Sequence, residues 1–159
     1  MDDLQRFFDD NGVTRVRVVG VQPDALLIGK TLRPATFIDA TESGAALADF
    51  AFGTDRAGEP SLGYSGDWRS PVIGDSHLMP EVATLRLVPG ADGLATCFAD
   101  AVDVGHRAIP LCGRGLVRRL GDRLQEKGLR GRFAFEIEGQ FFTRSFHDNR
   151  VNGWRNLQP

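Results

Sequence analysis

The 159 residues are 42% hydrophobic and 25% charged, with a formal net charge of −2. That balance fits one ordinary globular domain, or a small domain plus a piece of another, and it gives no reason to expect a nucleic-acid partner. Cys97 and Cys112 form no CxxC pair, no N-terminal apolar run follows Met1, and no apolar segment of about 18 residues occurs, so disulfide framework, signal peptide and membrane span are all unexpected and the cytoplasm is the default compartment.

Taken in chain order, Asp2 to Asn11 reads as a short helix capped by Asp2 or Asp3, with Leu4, Phe7 and Phe8 on one side and Gly12 as its stop. Val13 to Val21 alternates as a strand, 22–24 is a Gln-Pro-Asp turn, and Ala25 to Lys30 is the returning strand. Pro34 opens a helix to about Glu42, closed by Gly44. Gly53 to Gly74 has no apolar period and reads as a long loop, in which Trp68 and Tyr64 serve as core anchors or as ligand contacts. Ala83 to Val88 and Leu94 to Val102 are two strands joined by the turn 89–93. Gly113 to Lys127 is a helix with Leu116, Val117, Leu120 and Leu124 as its apolar stripe and Gly128 as its stop. Its basic residues Arg114, Arg118, Arg119, Arg123 and Lys127 are interleaved with Asp122 and Glu126, as on a solvated face.

Phe133 to Phe142 carries the most pointed chemistry. Phe133, Phe135 and Ile137 alternate with Ala134, Glu136 and Glu138, the period of a half-buried strand. Two carboxylates then share a face about 7 Å apart. They repel unless a cation lies between them, and a hard divalent ion is the natural counter-charge. A solvent-facing edge with two acids is the plainer alternative. Thr143 to Pro159 shows no period and reads as a tail. The three histidines, His77, His106 and His147, are scattered and read as structural or exposed. Asp75 reads as a turn brace, and Arg114 as the partner of an acid or a domain-packing residue. The coarse order predicts a compact α+β fold of hairpins on one or two helices.

Several motifs in sequence resemble the glutamine synthetase family. The run from Gly74 through Asp75, Leu78, Met79, Pro80, Glu81, Thr84 and Leu85 to Arg86 is similar to a family hallmark of Asp, hydrophobic pair, Pro, acid and Thr-Leu. A Pro-Gly turn follows, then a strand ending in Asp100 and Asp103, then Arg114 at a helix head, then Glu136-Ile137-Glu138 with Phe141 and Phe142. The hairpin ending in Gly29-Lys30 resembles the family's opening β-grasp hairpin. The likeness runs over roughly residues 12 to 142.

The resemblance implies a β-grasp domain over 12–103, the start of a catalytic domain over 110–142, and a tail over 143–159. It implies that Glu136 and Glu138 each bind a different divalent ion, Mg²⁺ or Mn²⁺, and that ATP phosphorylates the side-chain carboxylate of glutamate before ammonia or an amine displaces phosphate. Asp67 is placed by region alone where the family has an ammonium-binding aspartate. Family members form rings in which one β-grasp domain borders the next active site, so the expected partners are a second copy or a full-length ligase. The later metal ligands and the ATP pocket have no counterpart in these residues, so the expectation is a portion inactive by itself. The alternative is a non-catalytic β-grasp interaction module.

Overall fold

The structure, a computed structural model, describes residues 2–54 and 75–159. Tyr64, Asp67, Trp68 and Arg69 lie outside the described residues, and so does nearly all of the expected long loop. The chain divides into two compact units, Met1–Leu129 and Arg130–Pro159.

The first unit begins with α1, Asp2–Asp10, whose first turn holds Asp2 and Asp3. Negative charge there complements the exposed amide groups of the helix start. α1 turns Phe8 into the core at 1% exposure, and Gly12 follows it at φ 59°. The hairpin β1 (Arg15–Val21) and β2 (Leu27–Leu32) pairs antiparallel from Val16↔Leu32 to Val21↔Leu27. Val16 and Val18 are fully buried, while Arg15 and Arg17 are exposed. This is the alternation the sequence shows.

α2, Pro34–Ser43, has Pro in its first turn and ends at Gly44 with φ 76°. It buries Phe37, whose ring meets Phe8 edge-on at 5.8 Å, and it packs against the sheet. β3 (Ala45–Ala48) and β4 (Asp75–Pro80) pair antiparallel. β5 is only Arg86–Leu87, and β6 spans Leu94–Val102. The resulting sheet has the order β2-β1-β6-β4-β3, with β5 also on β6. β1 and β6 run parallel at its centre, and the other neighbours are antiparallel. This is the α+β, β-grasp-like arrangement expected. One core lies between sheet and helices, built from Phe8, Val16, Val18, Phe37, Phe52, Leu78, Ala95, Cys97 and Ala101.

α3, Gly113–Glu126, closes the unit. Its cap is a thiol: Cys112 Sγ accepts from Gly115 N at 3.3 Å and from Ala101 N at 3.4 Å. The helix is therefore tied at its start to β6. Most of its apolar stripe stays uncovered, with Leu116, Val117 and Leu120 at 47%, 70% and 50% exposure.

The second unit departs from expectation in two ways. The segment 130–142 forms no strand and has no ladder partner among the described residues. The alternation is present, but a strand exists only where a neighbour takes its amide and carbonyl groups. The expected tail instead contains α4, Phe146–Val151. Ser145 caps it, accepting from Asp148 N at 3.2 Å and donating to Asp148 Oδ2 at 2.7 Å. Phe146 and Trp154 meet edge-on at 5.1 Å.

Candidate functional site

The hallmark run builds a deliberate interruption in the sheet. β4 pairs β6 as far as Pro80↔Ala99, and β5 resumes at Arg86↔Thr96. Residues 81–85 therefore stand opposite only Cys97 and Phe98. Proline ends the first stretch because it has no N–H for the ladder. The surplus residues curl into one 3-10 turn over Val82–Thr84.

The hydroxyl of Thr84 replaces the missing ladder group. It accepts from Phe98 N at 2.8 Å and donates to Glu81 O at 2.7 Å. Glu81 N in turn donates to Phe98 O at 2.8 Å. Pro, acid, two residues and Thr are thus a recipe for a bulge. The bulge frees the Glu81 side chain from the sheet and leaves its backbone satisfied.

Glu81 meets Asp100 of β6 and two arginines of α3 in one knot. Arg114 Nε lies 3.0 Å from Asp100 Oδ1, and its Nη2 lies 3.7 Å from Glu81 Oε2. Arg118 reaches Asp100 Oδ2 at 2.7 Å and Glu81 Oε2 at 3.1 Å. The Arg114 guanidinium also sits 5.8 Å from the Phe98 ring centre, a favourable place for a cation. Two acids facing two arginines leave little net charge, so the knot joins α3 to the bulge and offers no open anion or cation site. Of the two readings of Arg114, acid pairing and domain packing, the structure shows the first, and the partners are two, Asp100 and Glu81.

Cys97 lies beneath the bulge, its thiol 3.2 Å from Glu81 O. Burial above all pushes this thiol up, only partly offset by the Thr84 hydroxyl. It stays protonated and unreactive. Cys112 is likewise buried and free.

His77 and His106 approach with ring centres 6.3 Å apart, and His77 Nδ1 is buried without a hydrogen-bond partner among the described residues. Their distance in sequence concealed this proximity. His147 lies in α4 of the second unit. Asp75 opens β4 and pairs with Ala48, so it is part of a strand rather than a turn before one.

Glu136 and Glu138, the expected metal ligands, are exposed and lie in the unpaired segment. No group of three or more His, Cys, Asp or Glu residues that could hold a metal exists among the described residues. A hard divalent ion takes about six oxygens. As they stand, the two carboxylates do not make such a site.

No protein-family model matches the chain. In sequence it is 25% identical over 159 residues to a glutamate–isopropylamine ligase of Pseudomonas sp., covering 98% of this chain and 34% of that protein. Among solved structures it is similar to GmaS in complex with ADP, with a TM-score of 0.65 and 20% identity over 80% of this chain and 26% of the other. It is also similar to a novel glutamine synthase homolog, with a TM-score of 0.62 and 20% identity over 72% of this chain and 27% of the other. The chain resembles the N-terminal portion of a glutamine synthetase-like ligase. It spans about a third of the length of that curated relative. Of the described hallmark residues, Glu81 and Thr84 form the bulge and the knot that hold β6 and α3 together, while Asp75, Leu78 and Met79 lie in β4. No helix among the described residues is long and apolar enough to cross a membrane.

Proposed function

We propose that this chain is the N-terminal portion of an ATP-dependent glutamate–amine ligase, taking an alkylamine rather than ammonia, and that it is inactive without the rest of the catalytic domain. The alignment of nearly the whole chain with a glutamate–isopropylamine ligase carries this reading. The build of the molecule supports it. Residues 12–103 serve as the β-grasp domain, and 110–142 begin a catalytic domain that other residues complete. Within that completed domain Glu136 and Glu138 are two of the ligands for Mg²⁺ or Mn²⁺. Their exposure is consistent with a site whose remaining donors come from elsewhere. The ring-forming partner is a second copy or a full-length ligase. Two free cysteines support a reducing, cytoplasmic setting.

One observation favours the module as a second reading. Among its described residues, the Met1–Leu129 unit has a sheet and a core of its own. Such a unit can fold and dock without performing chemistry.

The test is a graft. Residues 1–142 replace the matching portion of the Pseudomonas glutamate–isopropylamine ligase, and phosphate release is followed with ATP, glutamate and isopropylamine. Amine-dependent release by the graft, and none by the 159-residue chain alone, is the expected result. A folded and assembled graft without turnover argues against the ligase reading and for the module. Turnover by the chain alone contradicts the claim of inactivity.

A further inference from the structure

Two of the chain's three histidines, distant in sequence, are brought together by the fold of the first unit. β4 sets His77 opposite Val102 of β6. The turn that begins one residue later carries His106, and the two ring centres lie 6.3 Å apart.

His106 stands on a closed turn. Asp103 N donates to Arg107 O at 2.8 Å, His106 N donates to Asp103 O at 2.9 Å, and Val102 bridges Ala108 beyond them. The Asp103 carboxylate accepts from Gly105 N and Arg107 N as well. His106 holds φ 60°, a left-handed conformation that histidine adopts more readily than most residues. The backbone is thus fixed where the ring leaves it, and the exposed side chain is free to rotate. His77 is held closely at its root. A Cβ at Gly44 would lie 2.8 Å from its Cβ and 3.5 Å from its Cγ. Its Nδ1 is buried with no hydrogen-bond partner among the described residues. A buried polar atom in that condition points to a water or an ion as its partner.

We propose that His77 and His106 bind one divalent transition ion, with Zn²⁺ as the type, through one nitrogen of each ring. Imidazole suits Zn²⁺, Cu²⁺ and Ni²⁺, whereas Mg²⁺ and Mn²⁺ favour oxygen. With N–Zn bonds of about 2.0–2.1 Å, two imidazoles on a tetrahedral ion have ring centres about 5 Å apart. The rings therefore close by about 1 Å from their 6.3 Å separation, a movement that rotation of the His106 side chain supplies.

No third His, Cys, Asp or Glu joins the pair in a metal-holding group among the described residues. Water fills the remaining positions, so the ion is exchangeable and its dissociation constant is on the order of micromolar. Its effect is to tie the turn after β6 to β4. The site stands apart from the ligase reading. It uses nitrogen where Glu136 and Glu138 offer oxygen, and it belongs to the other unit, so either assignment can fail without the other.

The experiment is a calorimetric titration of Zn²⁺ into the intact 159-residue chain, with the ring resonances of the three histidines followed by NMR in the same series. One ion per chain is expected, with His77 and His106 shifting and His147 unmoved. His77→Phe keeps a ring without a ligand atom, and His106→Asn keeps a residue that tolerates the turn. Each weakens binding at least about tenfold. His147→Ala, and Glu136→Ala with Glu138→Ala, leave it unchanged, and about a tenfold excess of Mg²⁺ does not displace the ion. The turn amides at Gly105 and His106 exchange more slowly once Zn²⁺ is bound. Absence of binding overturns the proposal. So does binding that persists in both histidine variants, that is lost with the glutamates, or that yields to Mg²⁺. If His77→Phe fails to fold, His106→Asn together with the ring shifts of the unaltered chain decides.

Discussion

Arg114 and Asp100 meet with Nε 3.0 Å from Oδ1, each side chain about three-quarters buried. One stands at the head of α3 and the other on the central strand β6. Removing the arginine leaves a shielded carboxylate with one partner fewer. Arg114→Ala is expected to lower stability by about 1–3 kcal/mol, with Arg118→Ala costing less because Arg118 is half exposed. Urea unfolding of the single variants and of each paired with Asp100→Asn measures this. Equal costs for the two arginines would show that shielding from water does not set the strength of the knot.

The Thr84 hydroxyl gives a sharper test, because it is both donor and acceptor within the bulge. Thr84→Val keeps the shape and leaves Phe98 N without its partner. The expected cost is about 1–3 kcal/mol, and Thr84→Ser should recover most of it. Amide exchange at Phe98 reports the same bond locally, speeding up in the valine variant alone.

Gly44 closes α2 at φ 76°, and a Cβ there would lie 2.8 Å from both His77 Cβ and Met79 Sδ. Backbone conformation and lack of space act together. Gly44→Ala is expected to cost about 2–4 kcal/mol, seen as a lower midpoint in thermal unfolding. A neutral substitution would mean that α2 can move away from β4 without penalty.

Asp103 organises the turn after β6, accepting from Gly105 N at 2.8 Å and Arg107 N at 2.9 Å, with the Arg107 guanidinium 2.7 Å away. The Arg107 amide, its side chain and the Gly105 amide hold this carboxyl below the usual aspartate value. A lowered folded value means that the stabilisation is complete above the ordinary carboxylate range of about 3.9. It is lost as pH falls through the lower value of the folded state. A carbon-detected NMR titration should find the Asp103 midpoint below that of a free aspartate, and Arg107→Ala should move it upward.

Much of the fold was legible because its elements carry their own period. Val16 and Val18 against Arg15 and Arg17 mark β1, and the leucines of Gly113 to Lys127 mark α3. β3 escaped because Ala45-Ala-Leu-Ala48 has neither β-branched residues nor a polar alternation. β4 escaped because only Ser76 and Leu78 are its buried residues, and serine is no apolar signal. The strand expected over 83–88 shrank to Arg86–Leu87 because the Thr84 hydroxyl takes over part of the ladder. Phe133 to Phe142 has the right alternation but no neighbour among the described residues, and no sequence period supplies a neighbour. At the site, Arg114 and its acid were legible in kind, but Glu81 and Arg118 join only through the bulge. The approach of His77 to His106 depends wholly on the placement of the turn after β6.

The most direct measurement is the Mn²⁺ dependence of phosphate release in the graft of residues 1–142 onto the Pseudomonas ligase, comparing the unaltered graft with Glu136→Ala and with Glu138→Ala. If these carboxylates hold the ions, each variant needs at least about 100-fold more Mn²⁺ or loses turnover, while its assembly and unfolding midpoint stay unchanged. An active graft whose Mn²⁺ curve is indifferent to both substitutions would make Glu136 and Glu138 surface acids and remove the metal-binding role from this chain.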